Sequence, residues 1–388
     1  MSGERLRVDV AIVGGGIAGC AAAARLRGEG FSVALLERGR CGAGASGVNF
    51  GGVRQQGRHY AELPLARRAR PIWDTLNAML GEDVEFVASG HVKLARSEAD
   101  MAELERYARD VAAFGLQLEL LGRAALQSRL PWVGAGVVGA SLCVEDGHAN
   151  PRVVGPAYAR LARRLGADVR EHACVVDAGR DGDGFALRAE LLAQRHEALE
   201  VRSRVLVNCA GAGARRFAAA FGEDVPLAPL VPNMLVTEPL PFFIDRSIGV
   251  CGGGVYLRQI ARGNVILGGG DGWCDAEGLR SRPRSSVSLA AMADALALVP
   301  RLAGSHVIRT WTGIDGEMPD RIPVVCTSAT TPNLVHAFGF SGHGFQLGPV
   351  VGEIIAELVT QGRSASPLEP FSIERFKTAP PPSVGVNP

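Results

Sequence analysis

The sequence predicts an α/β fold in which a doubly wound parallel sheet is joined to an antiparallel sheet. Residues 8–37 read as a short apolar strand, a glycine turn, a helix of small residues and a second strand. Residues 151–176 add a helix followed by a strand, and residues 204–213 add an apolar strand that ends in glycines. Residues 254–270 alternate with period two on both sides of a turn, which is typical of an antiparallel hairpin.

The first segment carries the spacing G-x-G-x-x-G, at Gly14, Gly16 and Gly19. One glycine allows the tight turn, one lets a pyrophosphate touch the backbone, and one lets the helix lie close to the strand. The helix over 17–27 would present free N–H groups and a partial positive charge to the phosphates. Glu37 follows about 20 residues on, the spacing at which a carboxylate binds ribose hydroxyls. A turn without a ligand is the simpler alternative, but the complete pattern favours dinucleotide binding in a Rossmann-like domain.

Composition argues against several other classes of protein. The chain has 388 residues, with 41 basic and 40 acidic side chains, and this balance gives no argument for nucleic acid or an anionic membrane. The longest apolar stretch, residues 10–24, is too short to span a bilayer, and no signal-peptide pattern is expected. Eight cysteines without a C-x-x-C spacing predict a reducing, cytoplasmic location and no metal site held by this chain alone.

A long glycine-rich stretch, residues 38–60, is predicted to be irregular. Long loops in compact domains are usually functional. Gly51 and Gly52 would let the backbone approach a flat ring system, and Arg54 follows them directly. Ordinary packing elements are predicted around this loop, with helices over 62–80, 98–114 and 285–299 and strands over 86–94 and 137–143.

The helix and strand of the second segment have a clear start. Asn150 is predicted to cap a helix that begins at Pro151, ahead of the strand over 168–176. His148, just before the cap, is interpreted as a structural histidine. In the hairpin, period two places Tyr256 and Arg258 on one face. Contact with a ligand and a cross-strand pair on a solvated face both remain open for Arg258.

Two motifs close the chain. Residues 311–325, WTGIDGEMPDRIPVV, predict a strand and a loop. Residues 338–359 predict a glycine turn and an amphipathic helix whose N-terminal amides, over 342–347, would point at a ligand. His343 in this turn would lie near that ligand or in the core. Residues 376–388 are predicted to form a tail.

Together these motifs resemble the FAD-dependent amine and amino-acid oxidoreductases, the family of D-amino-acid oxidase, glycine oxidase and sarcosine oxidase. The loop S-G-V-N-F-G-G-V-R and the stretch P-D-R-I-P resemble in particular the flavin β subunits of heterotetrameric sarcosine oxidase, opine oxidase and D-hydroxyproline dehydrogenase. Many simple oxidases hold the substrate carboxylate with an arginine at the position of Asp315. The resemblance therefore leaves that carboxylate to Arg54 or Arg258.

The resemblance also implies the site residues, without a metal. The catalytic positions are Arg54, Tyr256, Arg258 and His343. The cofactor-binding positions are Gly14, Gly16, Ile17, Ala18, Gly19, Glu37, Arg38, Ser46, Gly51, Gly52, Val53, Val175, Cys209, Ala210, Gly211, Gly313, Gly342, His343, Gly344, Phe345, Gln346 and Leu347.

The implied domains are discontinuous. A FAD-binding domain is expected over 1–80, 146–222 and 308–375, and an antiparallel substrate domain over 81–145 and 223–307.

The expected activity is FAD-dependent oxidation of a secondary amine or a D- or N-substituted amino acid to an imine, by hydride transfer to flavin N5. The chain is expected to act as the β subunit of a multi-subunit dehydrogenase, with FMN or iron–sulfur centres only in partner subunits. A self-sufficient oxidase that releases hydrogen peroxide, a non-catalytic FAD-holding subunit, an NAD(P) dehydrogenase and a FAD hydroxylase remain as alternatives.

Overall fold

The computed structural model describes residues 4–194, 197–275 and 277–377, so the predicted tail lies almost wholly outside the described residues. The helices are α1 (Ile17–Gly28), α2 (Ala45–Val48), α3 (Leu63–Leu80), α4 (Glu98–Val111), α5 (Arg123–Arg129), α6 (Pro151–Arg164), α7 (Ala214–Ala220), α8 (Ser285–Leu298) and α9 (Gly344–Gln361). The strands are β1 (Glu4–Val13), β2 (Val33–Glu37), β3 (Gly52–Val53), β4 (His91–Ala95), β5 (Glu119–Gly122), β6 (Gly139–Cys143), β7 (Gly147–His148), β8 (Asp168–Glu171), β9 (Ala173–Asp181), β10 (Gly184–Leu191), β11 (Glu197–Asn208), β12 (Ala228–Leu230), β13 (Pro232–Pro239), β14 (Ser247–Val250), β15 (Tyr256–Gln259), β16 (Asn264–Asp271), β17 (Trp273–Cys274), β18 (Ser281–Arg282), β19 (Val307–Thr312), β20 (Asp315–Glu317), β21 (Val324–Thr327) and β22 (Leu334–Phe338).

The first sheet has the order β21-β22-β11-β1-β2-β8, and the β9–β10 hairpin is attached to β11. Strand β1 pairs in parallel with both β2 and β11, and β22 pairs in parallel with β11. Three separated parts of the chain therefore build one sheet, and the predicted α/β fold is confirmed.

Helices α1 and α9 lie in unusually close contact on this sheet. A side chain at Gly348 would come within 2.4 Å of Ile17, and one at Gly352 within 2.5 Å of Ala21. Both glycines belong to α9, four residues apart, so they present one bare face to α1. This close packing brings the N-terminal turns of the two helices to the same edge of the sheet.

The second sheet has the order β19-β13-β16-β15-β14-β4-β6-β5. The predicted hairpin is β15 and β16, which pair antiparallel. Strands β14 and β4 are neighbours in this sheet that pair in parallel. Strand β19 pairs with β13, so this sheet extends to Thr312, although residues from 308 onward were expected in the other domain.

Local differences from the predicted elements have identifiable causes. Strand β4 begins at His91, later than expected, because Gly90 adopts a φ of +80°. His172, with a φ of +57°, divides the strand predicted over 168–176 into β8 and β9. The stretch over 38–60, which was predicted to be irregular, contains the short helix α2 and the strand β3. Strand β3 forms because it pairs with β7. The predicted cap of α6 is confirmed, since the Asn150 side chain accepts a hydrogen bond from the Arg152 amide.

Candidate active site

One cavity of about 640 Å³ lies between the two sheets. The carboxyl ends of β1, β2, β11 and β22 deliver their loops to one side of it. Residues of β4, β14 and β15 form the other side. Crevices at the carboxyl ends of parallel strands are the usual ligand sites of such sheets, so this cavity is the candidate site.

The three motif glycines have different surroundings. A side chain at Gly14, whose φ is +106°, would lie 2.2 Å from the Cys209 carbonyl oxygen. A side chain at Gly19 would lie 2.1 Å from the Gly14 carbonyl oxygen. At Gly16 the Cβ would contact only the Ser46 Oγ, at 3.1 Å, and Gly16 faces the cavity. Gly14 and Gly19 are therefore required by the fold, whereas Gly16 keeps space open for a ligand.

The Glu37 carboxylate is held by backbone amides. The Gly15 and Gly39 N–H groups each donate to one of its oxygens, at 2.7 Å. Each oxygen keeps a further lone pair, so the carboxylate is oriented while it can still accept from ribose hydroxyls. The first amide of α1, at Ile17, donates to Ser46 Oγ, so that N–H is not free for a phosphate as the helix motif suggested.

Most of the predicted residues line the cavity. These are Arg54, Tyr256 and His343 among the catalytic positions, and Gly14, Gly16, Ile17, Ala18, Gly19, Glu37, Arg38, Ser46, Gly52, Cys209, Ala210, Gly211, Gly313, Gly342, Gly344 and Phe345 among the others.

Five predicted cofactor residues lie behind the wall instead. Val53 and Leu347 are buried in the core, and Gln346 donates to the Ala66 carbonyl. Val175, whose expected contact with the cofactor was through its backbone, packs its side chain in a separate apolar cluster. Gly51 is needed by the fold, because its φ is +81° and a side chain there would meet the Ala149 carbonyl oxygen at 2.3 Å.

Arg258, for which contact with substrate was one expectation, lies outside the residues that line the cavity. Its side chain is only 3% exposed and donates to the Phe50 and Ala149 carbonyl oxygens. It also lies 3.0 Å from His148 Nδ1. Burial lowers the pKa of Arg258 to about 10. Arg258 therefore ties the hairpin to the loop before β3, and the adjacent Tyr256 takes the place beside the cavity.

Arg54 presents its guanidinium to the cavity and donates to the Gln56 carbonyl oxygen at 2.5 Å. Burial lowers the pKa of Arg54, but an arginine stays charged in proteins. Arg58 lies beside it, and its Nη1 is buried without a hydrogen-bond partner among the described residues. These two guanidiniums have donors left over for an anionic or carbonyl ligand.

His343 forms a buried pair with Glu62, whose two carboxylate oxygens both lie 3.0 Å from Nδ1. Burial lowers the pKa of His343 to about 4, although Glu62 opposes this. The imidazole is therefore neutral near pH 7, and its Nδ1–H donates to the carboxylate. Such a ring offers Nε2 as an acceptor and is not a proton donor to a ligand.

Asp315 stands where many simple oxidases of the resembled family hold an arginine. Its carboxylate accepts hydrogen bonds from the Gly316 and Gly342 amides, both at 2.8 Å. Burial raises the pKa of Asp315. Asp315 therefore supports the turn before α9 and offers no positive charge to a substrate.

Two polar wall residues of β4, His91 and Lys93, were not among the predicted site residues. His91 lies 3.0 Å from the Gln56 amide nitrogen, whereas Lys93 makes no hydrogen bond or ion pair with any described residue. A signal for them was present. The strand HVKLA places a histidine and a lysine two residues apart within an apolar run, and Lys93 and Lys377 are the two lysines among the 41 basic residues.

Comparison with known proteins agrees with this geometry. The sequence profile of the family described as "FAD dependent oxidoreductase" matches residues 9–358. The chain belongs to this family. The family decides between the alternative dinucleotides: the cofactor is FAD, and the chain is an oxidoreductase.

Relatives from two comparisons extend over almost the whole chain. An opine oxidase subunit of Rhizobium meliloti is 29% identical over 386 residues, covering 95% of this chain and 98% of that protein. The beta subunit of sarcosine oxidase from Rhizobium meliloti (strain 1021) is 26% identical over 385 residues, covering 95% and 88%. The crystal structure of glycine oxidase from Geobacillus kaustophilus superimposes with a TM-score of 0.88 at 25% identity, covering 95% of this chain and 99% of that one.

The glycine end of the cavity fits FAD. Gly16 leaves room for a pyrophosphate, Glu37 is oriented toward the cavity, and the N-terminal turn of α9 lines the same side of the cavity with Gly342 and Gly344. Within the described ranges, no cluster of three or more His, Cys, Asp or Glu side chains is arranged to hold a metal ion. Nor does any helix there have the length and apolarity needed to cross a membrane.

Proposed function

We propose that this FAD-dependent oxidoreductase converts a secondary amine or an N-substituted amino acid into an imine, which water then hydrolyses. When bound, FAD supplies the hydride acceptor, at flavin N5. The protein's part is to hold the carbon–hydrogen bond beside the nitrogen in line with that acceptor, and to bind the substrate carboxylate.

One observation carries this proposal: the same cavity joins the FAD-binding glycine turn to the guanidinium of Arg54, which has donors to spare. A carboxylate bound there through a bidentate pair of hydrogen bonds to the guanidinium would fix the substrate beside the flavin position. Tyr256 lies on the opposite strand wall, where it contacts Phe50 edge-on with 5.1 Å between ring centres. These two rings would give the substrate an apolar boundary.

The remaining wall residues have roles that follow from their contacts. Gly14, Gly16, Gly19, Glu37 and the Cys209–Gly211 turn would hold the adenosine and pyrophosphate, and the turn before α9 would hold the ring system. His343, neutral and tied to Glu62, would position that turn without acting as a base. The two sheets would form the FAD-binding and substrate domains, with β19 in the latter.

A role within a larger complex is supported by the names of relatives. The opine oxidase and sarcosine oxidase proteins that match almost end to end are both named as subunits. In addition, Asp315 stands where many simple oxidases of the resembled family have a carboxylate-binding arginine, and the chain differs from them in this respect. We propose that the chain passes electrons to centres in a partner protein. All eight cysteines are free, in keeping with a cytoplasmic complex.

We expect the natively purified enzyme to be larger than one chain and to turn over an N-substituted amino acid faster with an artificial dye than with oxygen. A carbonyl compound from imine hydrolysis should accumulate with dye reduction. Size determination, an oxygen electrode and a dye assay on the same preparation measure this. A lone chain that produces stoichiometric hydrogen peroxide, at a rate that no dye increases, would support the self-sufficient oxidase instead.

A further inference from the structure

Lys93 is a positive charge on β4, whose other residues are His91 and three apolar side chains, and it faces the cavity. The residue is 8% exposed, and no described carboxylate forms an ion pair with it. Its neighbour on β14 is Gly249, which also lines the cavity and where a Cβ would meet His91 Nε2 at 3.0 Å. The sequence has two lysines. The second, Lys377, lies on the surface and pairs with Glu374.

A buried ammonium without a partner is unfavourable, because it has lost water and gained no counter-charge. Burial, reinforced by the charge of Arg54, lowers the pKa of Lys93 to about 8. Lys93 is therefore still largely protonated at neutral pH, next to a second cation. A ligand with negative charge would relieve the desolvation of both groups.

The acidic side chains near these two cations are already engaged elsewhere. Both oxygens of Glu62 lie against His343. The Asp146 carboxylate accepts from the backbone amides of Gln55 and Gln56, behind the wall. Glu103, the carboxylate whose charge acts on Lys93, is paired with Arg106. A ligand that carries negative charge would therefore match Arg54 and Lys93.

We infer that the substrate is an amine carrying two carboxylates, one bound by Arg54 and the second bound by Lys93. This inference rests on the proposed oxidation and narrows its substrate class. Arg54 belongs to the loop after β3, whereas Lys93 belongs to β4 in the second sheet. The two proposed anchors therefore approach the cavity from different elements. A substrate with one carboxylate would leave one buried cation unmatched.

Sarcosine and iminodiacetate form a matched pair of probes, since both are N-substituted glycines and only the latter has the second carboxylate. We expect the FAD-loaded enzyme to show kcat/KM at least about tenfold higher for iminodiacetate, a difference of about 1.4 kcal/mol. Lys93→Gln should remove this preference and Lys93→Arg should retain part of it. Lys377→Gln is the matched control. A preference that is absent, or unchanged in Lys93→Gln, would overturn the inference.

Reductive methylation of the Lys93 amine gives a readout that does not depend on turnover, because a bound ligand should protect the amine from methylation. Peptide mass analysis measures the extent of methylation at Lys93, with Lys377 of the same molecule as the internal standard. Succinate or glutarate should protect Lys93 at least about tenfold better than propionate, the gain expected from one additional anchored charge. Equal protection would overturn the second anchor. Selective protection, with no amine oxidised, would support the anion site and contradict the proposed oxidation.

Discussion

Replacing Gly16 with valine should leave the chain folded but unable to retain FAD. The φ of Gly16 is −68°, which any residue can adopt, and its Cβ would touch only Ser46 Oγ at 3.1 Å. The remainder of the valine side chain would occupy the space where the pyrophosphate approaches the backbone. We expect FAD affinity to fall by more than about a hundredfold, or about 2.8 kcal/mol.

Visible absorbance of the purified protein measures the bound FAD, and circular dichroism measures the fold. Gly28→Ala in the same helix is the matched control, since nothing lies within 4 Å of the added methyl group. Gly19→Ala should behave differently and damage the fold itself, because its side chain would lie 2.1 Å from the Gly14 carbonyl oxygen. Full yellow colour in Gly16→Val would refute this site for the pyrophosphate.

Arg54→Met should cause the largest loss of activity among the wall variants that still bind FAD. It removes the charged donor that we propose for the substrate carboxylate. Truncating one member of a buried charge pair costs about 2 to 4 kcal/mol, or roughly thirty- to thousandfold in kcat/KM. Arg54→Lys should recover only part of this, because a lysine lacks the planar fork that matches a carboxylate.

Arg258→Lys is the control for this series, because Arg258 lies behind the wall and bonds to carbonyl oxygens. We expect its kcat/KM to stay within about threefold of the wild-type value, while its melting temperature falls because contacts to the carbonyl oxygens are lost. Steady-state kinetics with equal FAD content compare the three variants. If Arg54→Met loses less than Arg258→Lys, the carboxylate is bound elsewhere.

Local motifs explain why the glycine end of the site could be predicted from sequence. Gly14, Gly16, Gly19 and Glu37 lie within one continuous segment, and their geometry follows from strand, turn and helix. The cap of α6 by Asn150 is likewise a local feature. Such features depend on neighbours along the chain and not on how distant segments assemble.

The substrate end depends on assembly, and there the sequence was less informative. Period two correctly placed Tyr256 and Arg258 on one face, but it could not indicate that the loop around Phe50 covers Arg258. Lys93 enters the site only because β4 joins a sheet with β14, over 150 residues later. The early end of β8 depends on a left-handed residue, His172, which has no obvious sequence signal.

The central claim is that this chain itself oxidises an amine with the FAD held in its cavity. The visible spectrum of the FAD-loaded enzyme, recorded during anaerobic titration with N-substituted amino acids, tests it most directly. We expect the yellow absorbance to bleach in proportion to the amine added, and to bleach far more slowly in Arg54→Met at the same FAD content. An oxidised spectrum that persists with every such amine would contradict the claim and support a protein that holds FAD without catalysis.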